Sequence, residues 1–204
     1  MPKLLVASRN AKKLVELQRV LDAAGIDGIE VIGLDTVDEY REVPETGATF
    51  EDNALIKAVA GVEATGLACL ADDSGLSVDA LNGMPGVLSA RWSGRHGDDQ
   101  ANNDLLLAQI SDVPDERRGA AFVSACALVV PSGERTVVRG EWRGTILREP
   151  RGANGFGYDP LFAPDDAVAQ GRSSAELSAQ EKDALSHRGT ALARLVPTLR
   201  SLAD

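Results

Sequence analysis

The alternation of short apolar segments with an amphipathic helical segment is the feature that most constrains how this chain can fold. Residues 3–7 and 29–34 have the apolar character of buried strands, and the segment between them places Leu14, Leu17 and Leu21 on one helical stripe. A strand–helix–strand order of this kind builds a parallel sheet that is covered by helices. The opening of the chain therefore predicts an α/β protein.

The middle of the chain predicts a β-hairpin instead of a strand–helix–strand unit. Residues 120–130 and 136–146 have the pattern of two strands, and the turn-forming segment 131–134 between them indicates a β-hairpin. A hairpin added to strand–helix–strand units predicts a mixed sheet. We therefore expect one domain over residues 1–204, with two lobes and no linker between them.

Three local sequence signals predict where particular helices and strands begin, break or end. Thr49, followed three residues later by Asp52, is a variant of the capping box and predicts the start of a helix. The apolar segment 67–71 is expected to be a strand that the turn-forming residues 72–75 interrupt. Pro197 lies within the apolar stripe of the last helix and is expected to kink or shorten it.

Composition excludes several classes of protein. Apolar residues make up 44% of the chain and charged residues 25%, which is typical of a globular protein. The formal charge of −10 argues against nucleic acid and anionic membranes as partners, because both require a basic surface, but a few local cations can still bind a small anion. Two cysteines are too few for a disulfide framework, and no apolar run is long enough to span a membrane, so we expect a cytoplasmic protein.

The turn between the first strand and the first helix carries groups that suit phosphate. The free N–H groups at the start of a helix attract anions, Ser8 and Asn10 add polar side chains, and Lys13 adds a full charge. Lys13 opposes the helix dipole, which is unfavourable for the helix itself and is a reason to consider a binding role. The alternative is an ordinary capped helix with Lys12 and Lys13 in solvent.

Two adjacent acids follow the apolar segment 67–71. Asp72 and Asp73 repel each other unless cations or donors lie beside them, and Mg²⁺ binds one or two carboxylates together with substrate phosphates. A carboxylate at this position can also act as a general base toward water. The alternative is a simple Asx-turn.

A further polar pair lies on the helix that Thr49 begins. Asn53 and Lys57 are four residues apart on one helical face, and they line either a cleft or a solvated surface.

A glycine-rich loop at 152–160 contains two aromatic residues in a chain with only 4% aromatics. Phe156 or Tyr158 can stack on a nucleobase, whereas the alternative is a tight loop filled by two core aromatics. Lys182 and the segment 186–188, Ser-His-Arg, add cationic donors that suit carbonyl or phosphate oxygens. Together these groups are the parts of a nucleoside triphosphate site.

The motifs also resemble those of the ITP/XTP pyrophosphatase family, and they occur in the same order. Position 9 is arginine where glycine is frequent in the family. The segments that carry the resemblance are Ser8-Arg9-Asn10-Ala11-Lys12-Lys13, Glu45-Thr46-Gly47, Ala71-Asp72-Asp73-Ser74-Gly75-Leu76, Gly155-Phe156-Gly157-Tyr158-Asp159-Pro160 and Ser186-His187-Arg188-Gly189.

The resemblance implies a fold and an activity. The fold would be a two-lobed, Maf/Ham-like α/β structure around a long, highly twisted mixed sheet flanked by helices, with a nucleotide cleft between the lobes. The activity would be hydrolysis of deaminated purine nucleoside triphosphates (dITP, ITP and XTP) to the monophosphate and pyrophosphate, with Mg²⁺ as cofactor. The resemblance also implies a homodimer.

The resemblance further assigns roles to residues. Asp73 would accept a proton from the attacking water and, with Glu45, would bind magnesium, while Asp72 is a further candidate ligand, directly or through water. His187 and Arg188 would recognise the 6-oxo group of the base. The residues expected to bind substrate are Ser8, Arg9, Asn10, Ala11, Lys12, Lys13, Lys57, Ser74, Phe156, Gly157, Tyr158, Asp159, Lys182, His187 and Arg188.

Three alternatives remain open from the sequence. A Maf-type pyrophosphatase would act on other modified nucleotides, but the segments 155–159 and 186–188 favour the ITP/XTP family. A nonenzymatic nucleotide-binding module would not need the paired acids Asp72 and Asp73. A phosphatase with an aspartate nucleophile would need two acids separated by one residue after the first strand, whereas here the acids are adjacent and follow a later strand.

Overall fold

The computed structural model describes residues 1–8, 10–38, 40 and 43–203, without the side chains of residues 11, 12, 183 and 184. Within that part of the chain, strands and helices alternate at first and a hairpin follows. The elements, in order, are β1 (Lys3–Val6), α1 (Ala11–Ala23), β2 (Glu30–Gly33), α2 (Phe50–Thr65), β3 (Ala68–Val78), α3 (Asp99–Gln109), β4 (Gly119–Val129), β5 (Arg135–Ile146), β6 (Phe162–Pro164), α4 (Ala179–Leu185) and α5 (His187–Ala203).

The strands form one six-stranded sheet in the order β2-β1-β3-β4-β5-β6. The strand β1 is parallel to β2 and to β3, so that Leu5 lies opposite Ile32 on one side and Cys69 on the other. The pair β5–β6 is antiparallel. The predicted α/β fold with a mixed sheet is therefore confirmed.

The contacts divide the chain into two compact units. The first unit comprises residues 1–73, 124–140 and 188–204, and the second comprises 74–123 and 141–187. In the first unit, buried leucines of α1 and α5 pack with β1 in one apolar cluster, whereas the core of the second unit is built around apolar residues of α3 and an aromatic group. The aromatic residues in contact are Phe122, Trp142 and Phe162.

The strand β3 differs from the sequence-based expectation. It continues from Ala68 to Val78 without a break, so the expected interruption at 72–75 is wrong. The place of β3 in the sheet, next to β4, outweighs the local turn preference of Asp-Ser-Gly. The two acids are tolerated within the strand because cations contact each of them.

The helix ends follow the expected capping chemistry. Thr49 Oγ1 accepts a hydrogen bond from Asp52 N at 3.1 Å, and Asp52 Oδ2 accepts one from Thr49 N at 3.2 Å, which confirms the capping box of α2. Pro197 does not shorten α5, which extends to Ala203. The expected shortening is wrong because buried leucines before and after the proline pack the helix against the core. None of the helices described is long and apolar enough to cross a membrane.

Candidate active site

The carboxylate of Asp73 lies in a group of polar side chains within the first unit. Lys57 Nζ donates to Asp73 Oδ1 at 3.2 Å and to Glu45 Oε1 at 2.8 Å, so two carboxylates share one ammonium group. Asn53 Nδ2 donates to Asp73 Oδ2 at 3.2 Å. Glu45 and Asp73, which are 28 residues apart in the sequence (73 − 45), therefore converge on a single cation.

Asn53 holds this group together, although the sequence only showed that it shares a helical face with Lys57. Its side chain is fully buried, and its Oδ1 accepts a hydrogen bond from Gly47 N at 2.7 Å. A Cβ at position 47 would lie 2.7 Å from that oxygen, so glycine is required for this close approach. The amide of Asn53 thereby fixes both Asp73 and the loop that carries Glu45.

The carboxylate of Asp72 meets a different set of cations. Lys13 Nζ donates to its Oδ1 at 2.6 Å, and Arg188 Nε donates to its Oδ2 at 3.3 Å. Arg188 Nη1 also donates to Glu16 Oε2 at 3.1 Å. Because successive side chains of a strand point to opposite faces, Asp72 and Asp73 face different partners although they are adjacent.

These environments shift the pKa values of Asp72 and Asp73 in opposite directions. Burial alone would raise the pKa of Asp72, but Lys13 and Arg188 overcome that effect and lower it to about 2. Burial raises the pKa of Asp73, Glu45 adds to the increase, and Lys57 offsets it only in part. For Lys57, burial opposes the charged form, but attraction to Asp73 and Glu45 prevails and raises its pKa.

The turn between β1 and α1 brings part of the predicted phosphate group together. Asn10 N donates to Ser8 Oγ at 3.1 Å, and Lys13 N donates to Asn10 O at 3.0 Å. Arg9 lies outside the described residues, as do the side chains of Ala11 and Lys12. The ammonium group of Lys13, which is mostly buried, is already paired with Asp72.

A second polar group lies in the second unit and includes the predicted base-binding loop. The buried carboxylate of Asp159 accepts hydrogen bonds from Phe156 N at 2.9 Å and from Ser174 Oγ at 2.7 Å, and it contacts the ammonium group of Lys182. The ring of Phe156 is 67% exposed, and Lys182 Nζ lies 5.4 Å from its centroid. The structure thus brings Phe156, Asp159 and Lys182 together.

The two aromatics of this loop have different environments. Tyr158 is buried, and its hydroxyl donates to Ser89 O at 2.8 Å, so it belongs to the core of the second unit. Phe156 alone presents an exposed ring. Between them, the N–H of Gly157 donates to Asp99 Oδ2 at 2.7 Å.

The remaining predicted residues are distributed between these groups. Ser74 follows Asp73 in β3 and is partly buried. The ring of His187 stacks on Phe122 with a centroid distance of 5.4 Å, whereas Arg188 lies with Asp72 and Glu16. Sequence analysis did not identify Glu16 as part of the site, although it lies three residues after Lys13 and hence on the same side of α1.

The donor set suits a divalent cation even though the described residues contain no group of three or more His, Cys, Asp or Glu side chains placed to hold one. Mg²⁺ keeps several waters and uses one or two carboxylates plus phosphate oxygens, so Glu45 and Asp73 suffice. Both carboxylates already converge on the positive charge of Lys57. Asp72 fits less well as a ligand, because both of its oxygens accept hydrogen bonds from cations.

Comparison with known proteins shows which family the chain belongs to. The Ham1 family model matches residues 4–198. A dITP/XTP pyrophosphatase of Mycobacteroides abscessus is 68% identical over 202 residues, covering 99% of this chain and 97% of the relative. Its Mycobacterium tuberculosis counterpart is 69% identical over 201 residues, covering 98% of this chain and 97% of the relative. The Ham1 protein structure of Staphylococcus aureus has a TM-score of 0.87 at 35% identity and covers 98% of this chain and 99% of its own. This chain therefore belongs to the Ham1 family.

Proposed function

We propose that this protein hydrolyses dITP, ITP and XTP to the nucleoside monophosphate and pyrophosphate, and thereby removes deaminated purines from the nucleotide pool. Relatives that match nearly the whole chain at 68–69% identity are dITP/XTP pyrophosphatases. The observation in the structure that most supports a hydrolase is the convergence of Glu45 and Asp73 on one cation. A module that only binds nucleotides has no need for that arrangement.

Asp73 is the proposed proton acceptor. The oxygen of a water molecule would attack the α-phosphorus, the bond from that phosphorus to the oxygen of the leaving pyrophosphate would break, and the proton of the water would pass to Asp73. Burial and Glu45 raise the pKa of Asp73, which makes the carboxylate a better base than one in solvent. Asn53 and Lys57 hold its two oxygens in a fixed orientation.

Glu45 and Asp73 are the proposed magnesium ligands. When bound, Mg²⁺ supplies positive charge that stabilises the negative charge developing on the leaving pyrophosphate. Lys57 supplies a second positive charge at the same carboxylates. The charge of Lys57 is in position before the reaction begins, which is the condition under which electrostatic stabilisation is most effective.

The turn between β1 and α1 is the proposed binding site for the triphosphate. Ser8, Asn10 and Lys13 supply a hydroxyl, an amide and an ammonium group, together with the N–H groups of the first helical turn. Lys13 is paired with Asp72 in this structure, so binding a phosphate oxygen would exchange or share that partner. Arg9 and Lys12 are also proposed to contact the substrate.

The loop around Phe156 is the proposed site for the base. An exposed phenyl ring offers a stacking surface, and Lys182, held by Asp159, lies beside it. Donors from His187 and Arg188 are proposed to recognise the 6-oxo group of hypoxanthine and xanthine. Adenine presents a 6-amino group instead, and an unpaired buried donor typically costs about 1–3 kcal/mol.

A substrate panel tests this function directly. The purified protein is incubated with ITP, XTP, dITP, ATP and GTP, with and without Mg²⁺, and pyrophosphate and orthophosphate are measured separately. We expect pyrophosphate from the three deaminated nucleotides and none from ATP, and no turnover after removal of the metal with EDTA. Release of orthophosphate, or equal hydrolysis of ATP, would contradict the proposal.

The homodimeric state and the cytoplasmic location expected from the sequence remain predictions. Light scattering coupled to size-exclusion chromatography would test the first, with twice the monomer mass as the expected result. Fractionation of cells that express the protein would test the second.

A further inference from the structure

The side chains of α3 hold the backbone of the loop that carries Phe156. Asp99 Oδ2 accepts a hydrogen bond from the N–H of Gly157 at 2.7 Å, and Asn103 Nδ2 donates to the carbonyl oxygen of Gly157 at 3.0 Å. Asp99 and Asn103 are four residues apart and therefore lie on the same helical face. One helix thus binds both polar backbone groups of a single loop residue.

The amide of Asn103 is committed to this contact. The residue is only 7% exposed, and its Oδ1 is buried without a hydrogen-bond donor among the described residues. A rotated amide would place an oxygen against the Gly157 carbonyl, so the contact with Gly157 determines the orientation of the side chain. A buried acceptor without a donor is unfavourable. The unpaired Oδ1 of Asn103 is therefore a cost of the hydrogen bond that its Nδ2 donates to the loop.

The contacts from α3 lie next to the exposed ring and complement those at the end of the loop. Asp159 accepts from Phe156 N, and the hydroxyl of Tyr158 donates to Ser89 O. Gly157, which has a positive φ of 62°, connects these two anchored positions. Glycine has more backbone freedom than other residues, so the two contacts from α3 limit movement of the loop beside Phe156.

We propose that Asp99 and Asn103 are positioning residues that fix the backbone of the loop carrying Phe156, and so the place of its ring for stacking on the nucleobase. This inference rests on the proposed function, because it assumes that Phe156 contacts the base. A stacking surface fixed before binding does not have to be ordered when the nucleotide arrives, which favours affinity. Loss of either contact would therefore weaken binding of the base without altering the hydrolysis step.

The test compares a ligand that has a base with one that lacks it. Asp99→Ala and Asn103→Ala are assayed for the KM and kcat of ITP, and for inhibition by inorganic tripolyphosphate, which has no base. Removing one hydrogen bond should raise the KM for ITP about three- to tenfold. We expect kcat and the inhibition constant of tripolyphosphate to stay within about twofold of the wild type, because neither depends on contact with the base. A twofold change is smaller than the effect of losing one hydrogen bond.

Two control variants separate this role from a general effect on the helix. Asp99→Asn removes the same charge from the first turn of α3 but retains an oxygen acceptor for Gly157 N, so its KM should return close to the wild-type value. Gln100→Ala breaks a pair of the same spacing on the same helix, in which Gln100 Nε2 donates to Asp104 Oδ1 at 2.8 Å in solvent. It should leave every kinetic constant unchanged.

The outcomes are distinct. An unchanged KM for ITP in Asp99→Ala would overturn the inference, and so would a parallel rise in the tripolyphosphate inhibition constant, which would indicate a purely structural role. If Asn103→Ala does not fold, the exposed Asp99 variants decide the question. Failure of the proposed function itself would appear in the wild type, as absence of pyrophosphate release from ITP, and would overturn the inference as well.

Discussion

Asp72 and Asp73 are adjacent in β3, yet they occupy contrasting environments. Asp72 accepts hydrogen bonds from two cations and has a pKa lowered to about 2. Asp73 shares the single ammonium of Lys57 with Glu45, and burial raises its pKa. Asp72 is the more stabilised anion and is paired with Lys13 and Arg188 in this structure, whereas Asp73 is the less stabilised anion and therefore the stronger base. Two residues of one type thus obtain different roles from the faces they occupy.

The largest expected effect comes from neutralising the carboxylate of Asp73. Asp73→Asn removes the proposed proton acceptor and should lower kcat for ITP by about 10²–10⁴-fold, the usual contribution of a general base. Its melting temperature should not fall, because the ionised carboxylate is disfavoured by burial and its loss removes that cost. Pyrophosphate release and differential scanning calorimetry measure the two quantities, and ITP binding should be retained. Wild-type turnover would show that another group accepts the proton.

The next effect tests the cations that surround Asp72. Lys13→Ala removes a charged donor to the proposed triphosphate and should raise the KM for ITP about 10–100-fold, since a hydrogen bond to a charged group is worth about 1.5–3 kcal/mol. The matched control is Lys3→Ala, because Lys3 pairs with Glu30 at 3.9 Å in an exposed position. A KM that responds equally to both variants would contradict a specific role for Lys13.

Asp72→Asn should act on stability. A pKa of about 2 against an ordinary value near 3.8 corresponds to about 2 kcal/mol of stability. The melting temperature should therefore fall by about 4–8 °C at pH 7. This stability is present above the unfolded-state pKa and is lost as the pH falls toward 2, so the difference between the wild type and the variant should shrink below pH 4. A constant difference over that range would be inconsistent with the ionised state of Asp72 as its source.

The smallest effect is a shift in the acidic limb of the rate profile. Asp73 must be deprotonated to accept a proton, and its pKa is raised by burial. The kcat/KM of ITP hydrolysis, which reports the free enzyme, should therefore fall on acidification with a midpoint above 3.8, the ordinary value for aspartate. Asp72→Asn should leave this midpoint within the experimental error of the wild type. A midpoint that moves with Asp72 would assign the titration to the other carboxylate.

Much of the fold could be predicted because its signals are local. The apolar stripe of α1 and the capping box at Thr49 depend on residues within one or two turns of a helix, and both occur as expected. The continuation of β3 through 72–75 could not be predicted in that way. It depends on strands from distant parts of the chain that pair with β3, whereas the local sequence favours a turn.

The contacts within the candidate site also depend on residues that are distant in the sequence, and they could not be predicted from local patterns. Residue types placed Asp73 and Lys13 among the candidate site residues, but they did not show which acid faces which cation. That assignment follows from strand alternation, which was hidden while residues 72–75 were expected to form a turn. Asn53 and Asn103 act through partners 20 and 54 residues away, so no neighbouring residue in the sequence marks their roles.

Titration of the side-chain carboxyl carbons by NMR measures the contrast between the two acids most directly. Selective ¹³C labelling of aspartate, with Asp72→Asn and Asp73→Asn used to assign the signals, gives the pKa of each carboxylate in the folded protein. Asp72 should titrate near 2 and Asp73 above 3.8. The opposite order, or a common pKa for both, would contradict the assignment of Asp72 as counter-ion and Asp73 as base.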